Sequence, residues 1–276
     1  MFLFSALYQH ALKDYPQAEK FIKILIGAEE FLHNKKRFCL WLVDANPSEI
    51  KKIPPIYERI KKCREDRLKG ANDRKKLAET PHLFREQNNP KNFLFFPQVS
   101  SERRKYIPIG FFDEKIIAVN PNFVIPDADL FLFGILQSSV HMAFTKKFCG
   151  RLKSDLRYSN ALIYNNFPFP DCEKNFHEKI SETAEKILEV RKKYLGVRNE
   201  GLGDMENEKS KTNPSPLTPS PCLADLYDPI LMPKDLRDAH KKNDLAVMEA
   251  YGFDKNFSES EILAELMKLY QNLTEK

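Results

Sequence analysis

Within the stretch Cys149 to Pro170, charged and uncharged positions alternate from Arg151 to Tyr158. Arg151, Lys153, Asp155 and Arg157 take every second place, and Leu152, Ser154, Leu156 and Tyr158 fall between them. Successive side chains of a strand point to opposite faces, so this spacing predicts one strand that lines a surface with four charges about 7 Å apart. Other periods govern the rest of the chain. Residues 5 to 32 carry apolar positions at helical spacing, interrupted by Pro16, and predict two short helices. The run Arg37 to Ala45 is continuously apolar from Phe38 to Val43, holds the single Trp, and ends at Asn46-Pro47, which predicts a buried strand. Helical periodicity returns from Pro54 to Lys76, with Pro55 suited to a first turn. The segments NFLFFPQVSS, YIPIGFF and KIIAVNPNFVIP then predict strands, with Phe111 to Ile116 as a hairpin turn between two of them. A helix starting at Asp127 or Asp129 is expected to run through DADLFLFGILQSSVHMAFTKKF into the charged strand, and another from Glu173 to Tyr194, capped near Asp171.

The pattern then fails. Residues 196–221, GVRNEGLGDMENEKSKTNPSPLTPSP, hold no large apolar cluster and are rich in Gly, Asn, Ser, Thr and Pro, which predicts a flexible linker or inserted loop. Beyond it lie two or more helices, the last opened by a Ser258 to Glu261 capping box. The fold expected is α+β: a mixed helical and twisted, mostly antiparallel sheet domain over 1–172 with N-terminal helices, a connecting helix over 173–195, the linker over 196–221, and a small helical domain over 222–276.

Composition narrows the partners. Of 276 residues 42% are hydrophobic, and 21 are Phe, enough for a core with strong aromatic content. The formal net charge of +5 permits nucleic acid without requiring it. Between Lys51 and Lys76 the chain has eleven Lys and Arg against four Asp and Glu, so this helix is either a phosphate-contacting face or a solvated basic one. Lys61, Lys62 and Arg64 are its candidates for weak phosphate contacts. The loop Ser100-Ser101-Glu102-Arg103-Arg104-Lys105, emerging from a hydrophobic strand, is likewise either a binding loop or a solvated one. Five scattered cysteines without metal spacing read as reduced thiols in a cytoplasm. The apolar N-terminus lacks a basic leader region and is too short to span a membrane, so neither signal peptide nor anchor is expected.

No motif carries a reaction. Asn120-Pro121-Asn122-Phe123 is close to the Asn-Pro-Pro-Tyr/Phe loop of amino-methyltransferases but lacks the second Pro and any preceding Gly-rich turn, and it reads as a turn. Asp113-Glu114-Lys115 has no upstream Pro-Asp to complete a nuclease signature. His141 has no second His or Cys at metal spacing and reads as a core histidine. No catalytic or metal-binding residue is expected.

Five segments in order, IGAEEFLHNKKRFCLWLVDA, VSSERRKYIPIGFF, LFLFGILQSSVHMAF, CGRLKSDLRYSNALIYNNFPFP and LADLYDPILMPKDLRDAH, resemble the C-terminal part of MmeI-like (type IIL) restriction-modification enzymes. The resemblance runs from about residue 15 onward and takes in a target-recognition domain and a C-terminal helical domain. Phe169 stands where Trp is common in that family, and 196–221 is longer than its usual connection. Such enzymes join a nuclease, a helical connector, an S-adenosylmethionine-dependent adenine methyltransferase and the region seen here. The resemblance therefore implies a sequence-specific module for double-stranded DNA, without the nuclease and methyltransferase portions. S-adenosylmethionine would be bound in the methyltransferase portion. A separate methyltransferase or nuclease polypeptide would be a second partner, and the rival reading is a fragment that docks on such a subunit and meets DNA only there.

The resemblance also sharpens the charged stretch. It implies that Lys153 and Asp155 act together on one base pair, and donor/acceptor logic agrees. Lys can donate to the major-groove acceptors of guanine, and Asp can accept from the amino group of cytosine. Arg151 and Arg157 either clamp phosphate or brace the carboxylate. Ser100, Ser101, Arg103 and Arg104 are secondary candidates for DNA contact.

Overall fold

The computed structural model describes residues 2–3, 14–195 and 221–275, so the expectations for residues 5–13 and for a linker over 196–220 lie outside the described residues. In chain order the strands are β1 (Phe2–Leu3), β2 (Ile22–Ile26), β3 (Phe38–Leu40), β4 (Asn92–Phe96), β5 (Val99–Ser100), β6 (Gly110–Asp113), β7 (Ile116–Ala118), β8 (Phe123–Pro126), β9 (Gly150–Leu152) and β10 (Asp155–Arg157). The helices are α1 (Ala28–His33), α2 (Pro47–Lys51), α3 (Pro54–Leu68), α4 (Asn72–Lys76), α5 (Leu130–Leu136), α6 (Ser139–Phe148), α7 (Lys174–Leu195), α8 (Leu223–Leu226), α9 (Lys234–Ala250) and α10 (Glu259–Thr274). They fall into two compact units that divide the chain differently from the linear succession expected. The class is α+β, as expected, with small and mostly antiparallel sheets.

The first unit comprises residues up to Ile26, 35–90 and 114–119. Its sheet has the order β1-β3-β2-β7, antiparallel except where β2 pairs in parallel with β7, Ile24 opposite Ile116. The apolar run at β3 reflects two covered faces. Phe38 and Leu40 pack with Phe21, Ile50 and Ile56, while Cys39 on the other face joins Leu25 and Ile117, with Trp41 stacked on Phe84 beside them. Two expectations change in this unit. A 3-10 helix covers Pro16–Phe21, and the next five residues, IKILI, form β2 instead of helix because they pair with β3 and β7. The basic stretch is broken into α3 and α4 at residues 69–71, where Arg67 reaches across to the carbonyls of Leu77, Thr80 and Leu83.

The second unit holds residues 27–34, 91–113 and the chain from Asn120 onward. Here β6-β4-β8 form an antiparallel sheet around β4. Phe93 and Phe95 contact Phe112 on one face, while Leu94 and Phe96 enter the main core on the other. The expected hairpin at Phe111 to Ile116 is corrected: a turn joins β6 to β7, but β6 pairs with β4 and β7 with β2, so the strands serve different sheets. Tyr106 to Ile109 are buried without being strand.

The long helix expected after Asp127 is two helices. Asp129 caps α5 by accepting from the Leu132 amide at 2.8 Å, and Ser138 opens α6 by accepting from the His141 amide at 3.2 Å. Gln137 sits at the break in full burial. Its amide donates to the Ile107 carbonyl, and its Oε1 accepts from Arg191 at 3.0 Å and from the Tyr227 hydroxyl at 3.1 Å. Side chains therefore satisfy polar groups at this helix interruption.

Helix α7 was expected to connect two domains, yet Ile180, Ala184 and Ile187 are fully buried against α5 and α9. Gly134 permits the close approach: a Cβ there would meet Ile180 at 2.5 Å, and its carbonyl accepts from Asn243 of α9 at 2.8 Å. The expected Ser258 to Glu261 capping box is present at α10.

Candidate nucleic-acid interface

The alternating stretch is not one strand. Strands β9 and β10 form an antiparallel hairpin with Asp155 opposite Leu152, Leu156 opposite Arg151 and Arg157 opposite Gly150. Lys153 and Ser154 make the two-residue turn, and Lys153 has φ 56°. A positive φ at the first central residue suits the primed turns that match strand twist, but it is usually supplied by Gly or Asn. Keeping a lysine there costs on the order of 1 kcal/mol.

This geometry corrects the four-charge row. Directly opposed residues share a face. Asp155, Leu152, Arg157 and Gly150 therefore project to one side, and Arg151, Leu156 and Ser100 to the other, with Lys153 at the tip. The second side is the anchored one. Leu156 is buried, and β10 pairs with β5 so that Leu156 lies opposite Ser100. Tyr158 continues the anchor: its amide donates to the Gln98 carbonyl at 2.8 Å, its ring lies 4.2 Å from that of Phe96, and its hydroxyl meets His141 Nε2 at 3.1 Å. Burial holds the Tyr158 phenol well above its ordinary value. Burial also lowers His141 from 6.5 to about 3, so it is the core histidine expected, although its Nδ1 has no hydrogen-bond partner among the described residues.

The basic loop fastens to the hairpin through Glu102, which sequence reasoning did not single out. Its amide donates to Asp155 Oδ1 at 3.4 Å, and its carboxylate lies 3.9 Å from Arg151 Nη1. Arg151 also donates to the carbonyls of Ser154 at 3.1 Å and Lys146 at 3.3 Å. Arg151 thus braces the hairpin backbone, and the Asp155 carboxylate is held by a peptide N–H. Arg104 is half-buried, and burial lowers its guanidinium from the ordinary value against the opposing pull of Asp155 and then Asp228.

These surroundings sort the candidates. Lys153, Arg157 and Arg103 are exposed, and their side chains make no hydrogen bond or ion pair among the described residues. Ser101 is half-buried and its Oγ accepts from the Arg103 amide at 3.4 Å. Ser100 is corrected: at 4% exposure, with its Oγ buried, it is turned toward the core side of the hairpin and away from any surface contact. In the first unit, Lys61 pairs with Glu58 at 2.8 Å and lies over the Tyr57 ring, while Lys62 and Arg64 are exposed. Among the described residues no group of three or more His, Cys, Asp and Glu could hold a metal ion, and no helix is long and apolar enough to cross a membrane.

The family profile of the MmeI target recognition domain matches residues 1–171, and that of the MmeI C-terminal domain matches 216–276. The chain belongs to the MmeI family. Its MmeI-type segments are shared with the DNA methyltransferase A of Bacillus subtilis (strain 168), 37% identical over 271 residues, which are 98% of this chain and 28% of that protein. They are shared also with the structure of the type IIL restriction-modification enzyme MmeI in complex with DNA, at 34% identity and a TM-score of 0.86, covering 100% of this chain and 34% of that one. The chain thus spans about a third or less of the length of these MmeI-family relatives.

Proposed function

We propose that this chain recognises double-stranded DNA by sequence, with the β9–β10 hairpin entering the major groove and Lys153 and Asp155 meeting one G·C pair. The groove admits a two-stranded ribbon, and its edge offers guanine O6 and N7 to a donor and cytosine N4 to an acceptor. The observation that carries the reading is the hairpin tip. Lys153 stands at positive φ with an ammonium that is unpaired among the described residues, beside a carboxylate that a neighbouring peptide N–H already holds. Each such base contact discriminates by about 1–3 kcal/mol. Arg157 and Arg103, unpaired among the described residues, supply further cations from the hairpin and from the loop fastened to it, suited to phosphate.

Methyl transfer and any cleavage would belong to a catalytic portion of the kind found in MmeI-family enzymes, with S-adenosylmethionine bound there. The reading is tested by selecting duplexes from a randomised pool with the full chain at low and moderate salt. Enrichment of a short motif containing one invariant G·C pair supports it. Retention without enrichment, falling away uniformly with salt, contradicts it.

A second reading, a fragment that docks on a separate methyltransferase subunit and meets DNA only in that complex, is favoured by one observation. Ile230 and Leu231 are 77% and 61% exposed at a turn where the Asp228 carboxylate accepts from both of their amides. Motif enrichment that appears only after such a subunit is added supports the second reading over the first.

A further inference from the structure

Leu152 is 52% exposed and stands on the charged hairpin, outside the hydrophobic core. It is directly opposite Asp155, so it projects to the same side as that carboxylate and Arg157, while its chain neighbour Arg151 faces the other way. An aliphatic side chain held in water beside a polar surface forgoes the stabilisation that burial would give it. On the face proposed to meet DNA, a base edge would cover it.

The opposed residues of an antiparallel pair are about 4.5–5.5 Å apart, and successive bases on a strand rise about 3.4 Å. If Asp155 touches one base pair, Leu152 falls over a pair one or two steps away. The major-groove edges of guanine and adenine offer donors and acceptors that a leucine would leave dry and unpaired, and cytosine adds only a C5–H to its amino donor. Thymine alone presents a C5 methyl group there.

We infer that Leu152 selects a thymine, through contact with its C5 methyl group, one or two steps from the pair met by Lys153 and Asp155. The inference rests on the proposed reading of DNA by the hairpin and adds a second position to it.

The test uses the full chain and the duplex enriched by selection. Each thymine within two steps of the invariant G·C pair is replaced singly by deoxyuridine, which removes one methyl group and leaves pairing intact. The expected result is a binding loss of about fourfold at one position, the equivalent of one buried methyl group. The same replacement should have no effect on Leu152→Ala, which is an exposed substitution compatible with folding. No uracil effect at any position, or an equal effect on both proteins, overturns the inference while leaving the G·C reading standing. Failure to enrich any motif overturns both.

Discussion

Two regions carry the basic residues that invite a nucleic-acid reading, and they use them differently. In α3, Arg67 donates to three carbonyls that hold the first unit together and Lys61 to Glu58 of the same helix, while Lys62 and Arg64 are left exposed. In the hairpin, backbone and apolar anchors do the holding. Leu156 and Tyr158 are buried, Arg151 braces the turn, and Lys153, Arg157 and the neighbouring Arg103 are left exposed and unpaired among the described residues. Density of positive charge does not tell the two apart. What separates them is the kind of fastening: Arg67 secures α3 through its charge, while the hairpin is held by strand pairing and by the buried Leu156 and Tyr158.

The comparison can be broken or sharpened at four points. The largest effect concerns the anchor. His141 binds its proton at about 3 when folded and at its ordinary 6.5 when unfolded, so below that ordinary value the unfolded state takes up the proton first. The stability it contributes is full above pH 6.5 and is lost as pH falls toward 3, on the order of 5 kcal/mol in all. Buried His240 acts in the same direction, and Asp244, raised by burial, acts oppositely because its stability falls as pH rises from the ordinary carboxylate range. Urea unfolding of the wild type and His141→Phe across pH 7.5 to 4.5 should show a shallower loss in the variant. Equal slopes would remove His141 from the account.

Next comes Arg67→Ala, expected to destabilise the first unit by about 1–3 kcal/mol through loss of charged hydrogen bonds. Its effect on DNA affinity should be less than twofold. A large loss of affinity with unchanged stability would erase the distinction drawn for α3. Third, Lys153→Gly should raise stability by up to about 1 kcal/mol, because glycine accepts a positive φ, while discrimination at the G·C pair is lost. Stability and specificity moving together would contradict the placement of Lys153. Smallest is the replacement of Lys62 or Arg64 by Ala. Where either meets phosphate, binding to every sequence weakens alike and the salt dependence drops by about one unit. A sequence-dependent change would move base reading into α3.

Much of the fold could be read from periodicity, because α9, α10, β3 and β4 carry patterns that their own neighbourhood satisfies. The hairpin could not. A two-residue turn lets charged and uncharged positions alternate straight through it, and Lys153-Ser154 carries no Gly, Asn or Pro to mark it. The false hairpin at Phe111 to Ile116 failed for the reverse reason, since β7 takes its partner from β2, far away in sequence. Lys153 and Asp155 lie two apart in the chain, so their proximity was legible there. Glu102 reaches Asp155 across 53 residues, and the burial of Ser100 depends on its register with Leu156, so both needed tertiary structure. Ser138 was legible as an N-cap after the fact, a short polar residue opening a second apolar turn.

The most direct test is the charge-reversed variant Lys153→Glu with Asp155→Arg, put through the same duplex selection as the wild type. Glutamate can accept from cytosine N4 and arginine can donate to guanine O6 and N7. The account therefore predicts that one position of the enriched motif turns from G·C to C·G while the others persist. Enrichment of the wild-type motif unchanged would contradict it.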